Sequence, residues 1–316
     1  MNIFPIPLPS DADAFADYEQ LTIFNGTSLI KNGEWFSRSE FDTSKQKPIY
    51  IDQNNVGLKA SDRHHWYARM ACDSLNSPSP IRSWYQDKHR ATLENSKFYE
   101  INPRSAIALR KYIASQFRPT AALAIYQMFN AKRVYDPCGG WGDRLVAAMA
   151  LGIDYHCRDT NPLVIAADAA MQQFYKTTGN ISFEYAQSEL SPPNGEFDLV
   201  FTSPPYWKAE KYQGNLSSHV LYKKFEDWLE NFLFKMLDNS FASLSENGHL
   251  VINISDMYGN HTYNRIVQPI LEKYKDYETY VIGYRMTKRI NSKSNNTGIF
   301  CEPIIVVKKC SATTNN

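Results

Sequence analysis

Residues 131–151, Ala-Lys-Arg-Val-Tyr-Asp-Pro-Cys-Gly-Gly-Trp-Gly-Asp-Arg-Leu-Val-Ala-Ala-Met-Ala-Leu, constrain the fold of this chain more than any other stretch. A short strand-like run ends at Asp136. Gly139, Gly140 and Gly142 follow, and an apolar helix begins at once. Strand, glycine turn and helix, in that order, form the nucleotide-binding arrangement of doubly wound sheets. The glycines let a ligand approach the backbone, and the helix N-terminus faces it. The spacing is not the dinucleotide fingerprint, because no G-x-G-x-x-G is present here. Across residues 106–309 strand-like and helix-like segments alternate, which predicts an α/β fold: a mostly parallel sheet with helices on both faces.

The remaining segments can be placed in order. A second strand, 154–158, ends at Asp159, 23 positions after Asp136, and Thr160-Asn161-Pro162 opens a helix over 163–175. An acid at the tip of the second strand is well placed to bind two ribose hydroxyls, and Asp159 or Asn161 can equally cap that helix. A third strand, 181–186, runs into Gln187-Ser188-Glu189. Residues 225–244 predict a long amphipathic helix with Trp228, Phe232 and Met236 on one face. Strands at 248–255, 280–284 and 302–308 and a helix from about 264 to 273 complete the series, the last two strands forming an antiparallel hairpin. Thr120 suits a helix cap just upstream of the glycine turn.

The strand-like run 196–201 breaks abruptly at Thr202-Ser203-Pro204-Pro205-Tyr206-Trp207. Ser203 precedes a proline and is pushed toward extended backbone. The two prolines have no N–H to give a ladder. The result is a stiff elbow with free carbonyls, one hydroxyl and an aromatic pair. Ser203 and the Pro204 carbonyl suit two amine hydrogens, and Tyr206 suits stacking on a flat ring.

This elbow resembles the catalytic motif of the amino-methyltransferases that modify exocyclic amines of DNA bases: Asp, Asn or Ser, then Pro-Pro, then Tyr, Phe or Trp. The glycine turn is similar to the Asp-x-x-x-Gly-x-Gly loop of methyltransferases that bind S-adenosylmethionine, with Trp141 where a small residue is common. The segment 115–126 is similar to their Phe-Thr-Pro segment, with Arg118 where something smaller is expected. The resemblance implies a seven-stranded, Rossmann-like sheet with S-adenosylmethionine as cofactor. It assigns Asp136, Pro137, Gly140 and Gly142 to the cofactor loop and Asp159 to the ribose. Ser188 or Glu189 falls to the adenine amine, and Phe117, Pro119 and Thr120 to the methionine end. Ser203, Pro204, Pro205 and Tyr206 become the catalytic residues. The implied reaction is methyl transfer to cytosine N4 of DNA, with adenine N6 as the second target. Two alternatives stay open: a guanine-N2 type RNA enzyme, and an inactive cofactor-binding scaffold subunit. Glu210, Tyr212 and Asp256 are further rim candidates.

Composition bounds the remainder. The 316 residues carry a net charge of +1, so contact with a nucleic acid must come from local patches. The five cysteines form no C-x-x-C pair and the seven histidines show no ligand spacing, which predicts no metal site and a reducing, cytoplasmic setting. No stretch reads as a membrane span. Residues 1–105 read as an N-terminal accessory, substrate-recognition region. There Arg63, Arg69, Arg82, Lys88, His89 and Arg90 interleave with Trp66, Tyr67, Trp84 and Tyr85. Residues 106–309 read as the methyltransferase domain and 310–316 as a polar tail. Target recognition falls to residues 1–105, to the basic loop 285–298 (Arg285, Lys288, Arg289, Lys293), or to a partner subunit. With so little chain after residue 309, a sequence-specific restriction-modification enzyme is disfavoured.

Overall fold

Alternation along each strand divides the apolar residues between two faces of one sheet. In the computed structural model, which describes residues 4–74, 77–95, 113–207, 209–256, 265–286 and 298–310, Val134, Leu199, Phe201, Val251, Ile282 and Ile304 enter one core. Their neighbours Tyr135, Val200, Ile252, Val281 and Ile305 enter the other. Strands buried on both faces are what a doubly wound sheet requires.

The strands among the described residues are β1 (Ile30–Asn32), β2 (Trp35–Phe36), β3 (Gln46–Ile51), β4 (Asp73–Ser74), β5 (Arg133–Asp136), β6 (Asp154–Asp159), β7 (Ile181–Tyr185), β8 (Phe197–Thr202), β9 (Glu210–Lys211), β10 (Leu244–Asn253), β11 (Glu278–Arg285) and β12 (Ile299–Lys308). Seven of them run side by side as β7-β6-β5-β8-β10-β12-β11. The first four contacts in that row are parallel, whereas β12 is antiparallel to both β10 and β11. The chain reverses direction of travel across the sheet between β5 and β8, the switch point where doubly wound folds bind ligands.

The N-terminal region lengthens this sheet. β3 pairs in parallel with β11, β1 pairs antiparallel with β3, and β2 pairs with β12.

The first core is roofed by α1 (Asp11–Thr22), α2 (Leu58–Met70), α3 (Pro119–Met128), α4 (Asp143–Leu151) and α5 (Pro162–Phe174). The second is roofed by a helical run made of Phe225–Asp227, a π-helical stretch Trp228–Phe234 and α6 (Lys235–Ala242), and by α7 (Val267–Lys273). Trp228, Phe232 and Met236 are all buried in it, as the helical spacing predicts. Local chemistry sets the starts of the helices. Pro119 and Pro162 occupy first-turn positions that need no N–H donor. Asn161 caps α5 by accepting the Leu163 N–H at 3.1 Å. The predicted helix start near 264 and the basic residues Lys288, Arg289 and Lys293 lie outside the described residues, as do the end of the accessory region and the tail beyond 310.

Candidate active site

β5 delivers Asp136 to the base of the glycine turn, fully buried. Its carboxylate accepts Arg144 Nε at 2.6 Å, the Tyr155 hydroxyl at 2.6 Å and the Cys138 N–H at 3.1 Å. Arg144 Nη2 in turn donates to the carbonyls of Cys138 and Gly139. A buried carboxylate and a buried guanidinium thereby hold the turn from beneath, each satisfying the other. Arg144 was not singled out from the sequence. Its signal was an arginine at the second position of a helix that is apolar from Leu145 onward.

Gly140 and Gly142 adopt left-handed backbone, φ +65° and +70°. The Gly140 N–H donates to Asp159 Oδ2 at 2.9 Å, and Asp159 Oδ1 accepts the Asn161 N–H at 2.8 Å. Burial pushes the Asp159 carboxyl up to about 6, while those two N–H donors pull it back. Gly142 serves packing. A Cβ there would collide with His65 Nε2 and lie 2.8 Å from Met171 Cε. His65, on α2, is itself buried 3.0 Å from Asp168 Oδ1 on α5.

One cavity of about 460 Å³ opens over this turn. Of the residues assigned to the cofactor, Phe117, Pro137, Gly140, Asp159, Ser188 and Glu189 line it. Four do not. Asp136 and Gly142 act beneath the turn as described. Pro119 starts α3 and packs against Gly57, and Thr120 donates its hydroxyl to the Asn54 carbonyl at 3.0 Å. Phe117 stacks on Tyr284 at 4.9 Å and meets Phe201 edge-on at 5.4 Å. Ser188 turns its hydroxyl to the Pro137 carbonyl at 2.6 Å. Glu189 accepts the Tyr222 hydroxyl at 3.0 Å and Gln187 Nε2 at 3.2 Å.

The elbow lines the same cavity with all four of its residues, Ser203, Pro204, Pro205 and Tyr206. β8 ends at Thr202, where the prolines stop the ladder. Ser203 Oγ lies 3.5 Å from Asn253 Oδ1 at the end of β10. The Tyr206 hydroxyl donates to Glu302 Oε2 of β12 at 3.4 Å. Trp207 meets Phe225 edge-on at 5.5 Å, anchoring the elbow in the second core. Burial raises the Glu302 carboxyl to about 7, against hydrogen bonds from Tyr206 and Asn253. Neither Asn253 nor Glu302 was singled out from the sequence, since nothing local marks them.

The N-terminal region closes another side. Gln53 and Arg69 line the cavity, with the Arg69 guanidinium held by Asp62 at 2.6 Å and by the Ala114 carbonyl at 3.1 Å. β4 and β9 pair antiparallel and tie the segment after the elbow to this region. Trp141 is buried, lines the cavity and packs on Tyr212 at 5.6 Å. Glu210 and Tyr212 also line it. Asp256 does not: it caps α7, accepting the Ile266 N–H at 2.8 Å. The basic residues of the N-terminal region are largely engaged: Arg63 with Asp11, Arg82 with Asp73 and Arg90 with Asp87. Trp84 is buried, whereas Tyr67 and Tyr85 are exposed. Arg285 pairs with Asp52 at 3.0 Å. Among the described residues no cluster of His, Cys, Asp and Glu is arranged to hold a metal, and no helix is long and apolar enough to cross a membrane.

Residues 197–316 match the family model described as DNA methylase. No curated protein sequence matches the chain. Solved structures of similar shape include a SAM-dependent O-methyltransferase from Thermotoga maritima, 12% identical over 65% of this chain and 71% of that one with a TM-score of 0.42. An rRNA methylase from Streptococcus thermophilus is 11% identical over 63% of this chain and all of that one, TM-score 0.40. TehB from Haemophilus influenzae is 13% identical, TM-score 0.40, and the match spans 63% of either chain. The strand order and the DNA methylase match over residues 197–316 agree with the methyltransferase resemblance carried by the glycine loop and the elbow.

Proposed function

We propose that this chain is a methyltransferase that uses S-adenosylmethionine and acts on an exocyclic amine of a nucleic-acid base, with cytosine N4 of DNA as the first target and adenine N6 as the second. One observation carries the reading: the Ser203–Tyr206 elbow opens into the same cavity as Gly140 and Asp159. The residues present fit the cofactor. Gly140 offers a backbone without a Cβ at the cavity wall, the Asp159 carboxylate suits ribose hydroxyls, and the aromatic stack of Phe117 on Tyr284 suits its methionine end. When bound, S-adenosylmethionine supplies a methyl already activated on a sulfonium.

The protein's part is placement. Ser203 Oγ and the Pro204 carbonyl accept the two amine hydrogens, which draws the nitrogen lone pair out of conjugation and favours the charge that develops there. Tyr206 stacks on a base turned out of its helix. Ser203 is neutral where adenine enzymes of the resembling family often carry Asp, which supports cytosine. Residues 1–105 serve as the recognition region, with Tyr67 and Tyr85 exposed for stacking.

The test is transfer of labelled methyl to DNA and, in parallel, to RNA, followed by nucleoside mass analysis. N4-methylcytosine in DNA is expected. Ser203→Ala is expected to slow transfer by about 10²-fold with cofactor affinity unchanged. Label found only in RNA would move the target class and leave the site intact. Cofactor binding without transfer to either would overturn the reading.

A further inference from the structure

Glu302 is a carboxyl that placement alone leaves without a task. It lines the cavity beside Ser203 and Tyr206. Tyr206 donates to its Oε2 at 3.4 Å, and the Asn253 side chain hydrogen-bonds the same carboxyl. Asn253 also lies 3.5 Å from Ser203 Oγ and donates Nδ2 to the Pro303 carbonyl at 3.3 Å. The tyrosine of the elbow directly, and the serine through Asn253, thus lead to one acid contributed by a strand 96 positions beyond Tyr206. The other titratable groups around it are Tyr284, its partner across β11, and Arg118, whose backbone bonds the Tyr284 hydroxyl. Arg285, opposite Cys301, is turned to Asp52. A carboxyl whose ionisation is opposed by burial, placed at a reacting elbow, is a local conflict of the kind that functional sites retain.

Resting on the amine-transfer reading above, we infer that Glu302 is the proton acceptor of the reaction. The amine lone pair forms the N–CH3 bond as the C–S bond breaks, and that bonding pair stays on sulfur, which becomes a neutral thioether. The nitrogen is left cationic with one proton in excess. The Glu302 carboxylate takes that proton, becomes a neutral acid, and releases it to solvent when the product leaves. Tyr206 and Asn253 are positioning residues that hold the carboxylate through its two hydrogen bonds. Its shifted titration near neutrality matches the demand on a general base at that pH.

Single-turnover transfer to DNA is to be followed from about pH 5 to 9 for the wild type, Glu302→Gln and Glu302→Asp, with calorimetric cofactor binding and thermal unfolding alongside. The wild-type rate is expected to climb about tenfold per pH unit and to level off above about 7. Glu302→Gln is expected to be about 10²-fold slower and flat with pH, with cofactor affinity unchanged, and Glu302→Asp to recover part of the rate. A Glu302→Gln enzyme with the wild-type rate and profile overturns the inference. A second readout needs no nucleic acid: the carboxyl stretch in the infrared difference spectrum against Glu302→Gln should titrate near 7. A midpoint near about 4, the ordinary glutamate range, overturns the inference whatever the substrate. A wild type inert on DNA counts against the substrate reading alone, and the infrared midpoint still decides for Glu302.

Discussion

Asp143 shows how a single carboxyl is shaped by its surroundings. It opens α4, is buried, and accepts hydrogen bonds from the Ser61 hydroxyl and from Gln116 Nε2 at 3.3 Å. Burial nonetheless outweighs those donors and raises its carboxyl to about 7. The folded value lies above the unfolded one, so the neutral acid is the form the native state prefers. Stability from this group is therefore complete below about pH 4 and is lost as pH rises through 7. Asp143→Asn keeps an oxygen acceptor without the charge. Its advantage in thermal unfolding over the wild type is expected to be about 1.5 kcal/mol at pH 5 and to grow toward pH 8, reaching about 4 kcal/mol. An advantage independent of pH would show that the carboxylate carries no such penalty.

At the scale of the element, the glycine turn separates two uses of the same backbone conformation. Gly140 and Gly142 both have positive φ, so alanine at either costs on the order of 1–2 kcal/mol for the left-handed conformation alone. Around Gly140 there is room, because the nearest atom to an added Cβ is Arg144 Nη2 at 3.6 Å. Around Gly142 there is none, with His65 and Met171 in the way. Gly140→Ala is expected to lower Tm by a few degrees and Gly142→Ala to cost at least about 3 kcal/mol or prevent folding. Equal losses in a denaturant titration would mean that α2 and α5 yield to the new methyl.

At the scale of the molecule, the N-terminal region completes the sheet. β3 covers the edge of β11, and Arg285 on that strand pairs with Asp52 just after β3. Removing residues 1–52 uncovers a strand of eight residues, Glu278–Arg285, whose backbone groups then seek partners. The truncated protein is expected to elute from size exclusion as aggregate or to be insoluble. Arg285→Ala, which removes only an exposed ion pair, is expected to elute as the full chain does. A monodisperse truncated form would show that the sheet is self-sufficient without its N-terminal strands.

The sequence by itself determined what local backbone rules control. Short apolar runs alternating with helix-like segments marked the strands of residues 106–309, glycines marked the positive-φ turn after Asp136, and the Pro-Pro elbow marked where β8 must stop. These signals sit within a few residues of their effect, so they were legible without a structure. Tertiary structure alone decided which side chains share the cavity. Asp136 turned inward because a buried arginine on the next helix needed a carboxylate, and Thr120 because a distant carbonyl needed a donor. Asn253 and Glu302 came to the elbow because β10 and β12 pair in one register. Residues 30–51 joined the sheet because β11 offered a free edge and the start of β12, Ile299–Phe300, projects beyond its pairing with β10 and β11. Pairing across a hundred residues and the demand of buried charge for a partner leave no local period to read, which is why the chemistry-bearing motifs were visible and their surroundings were not.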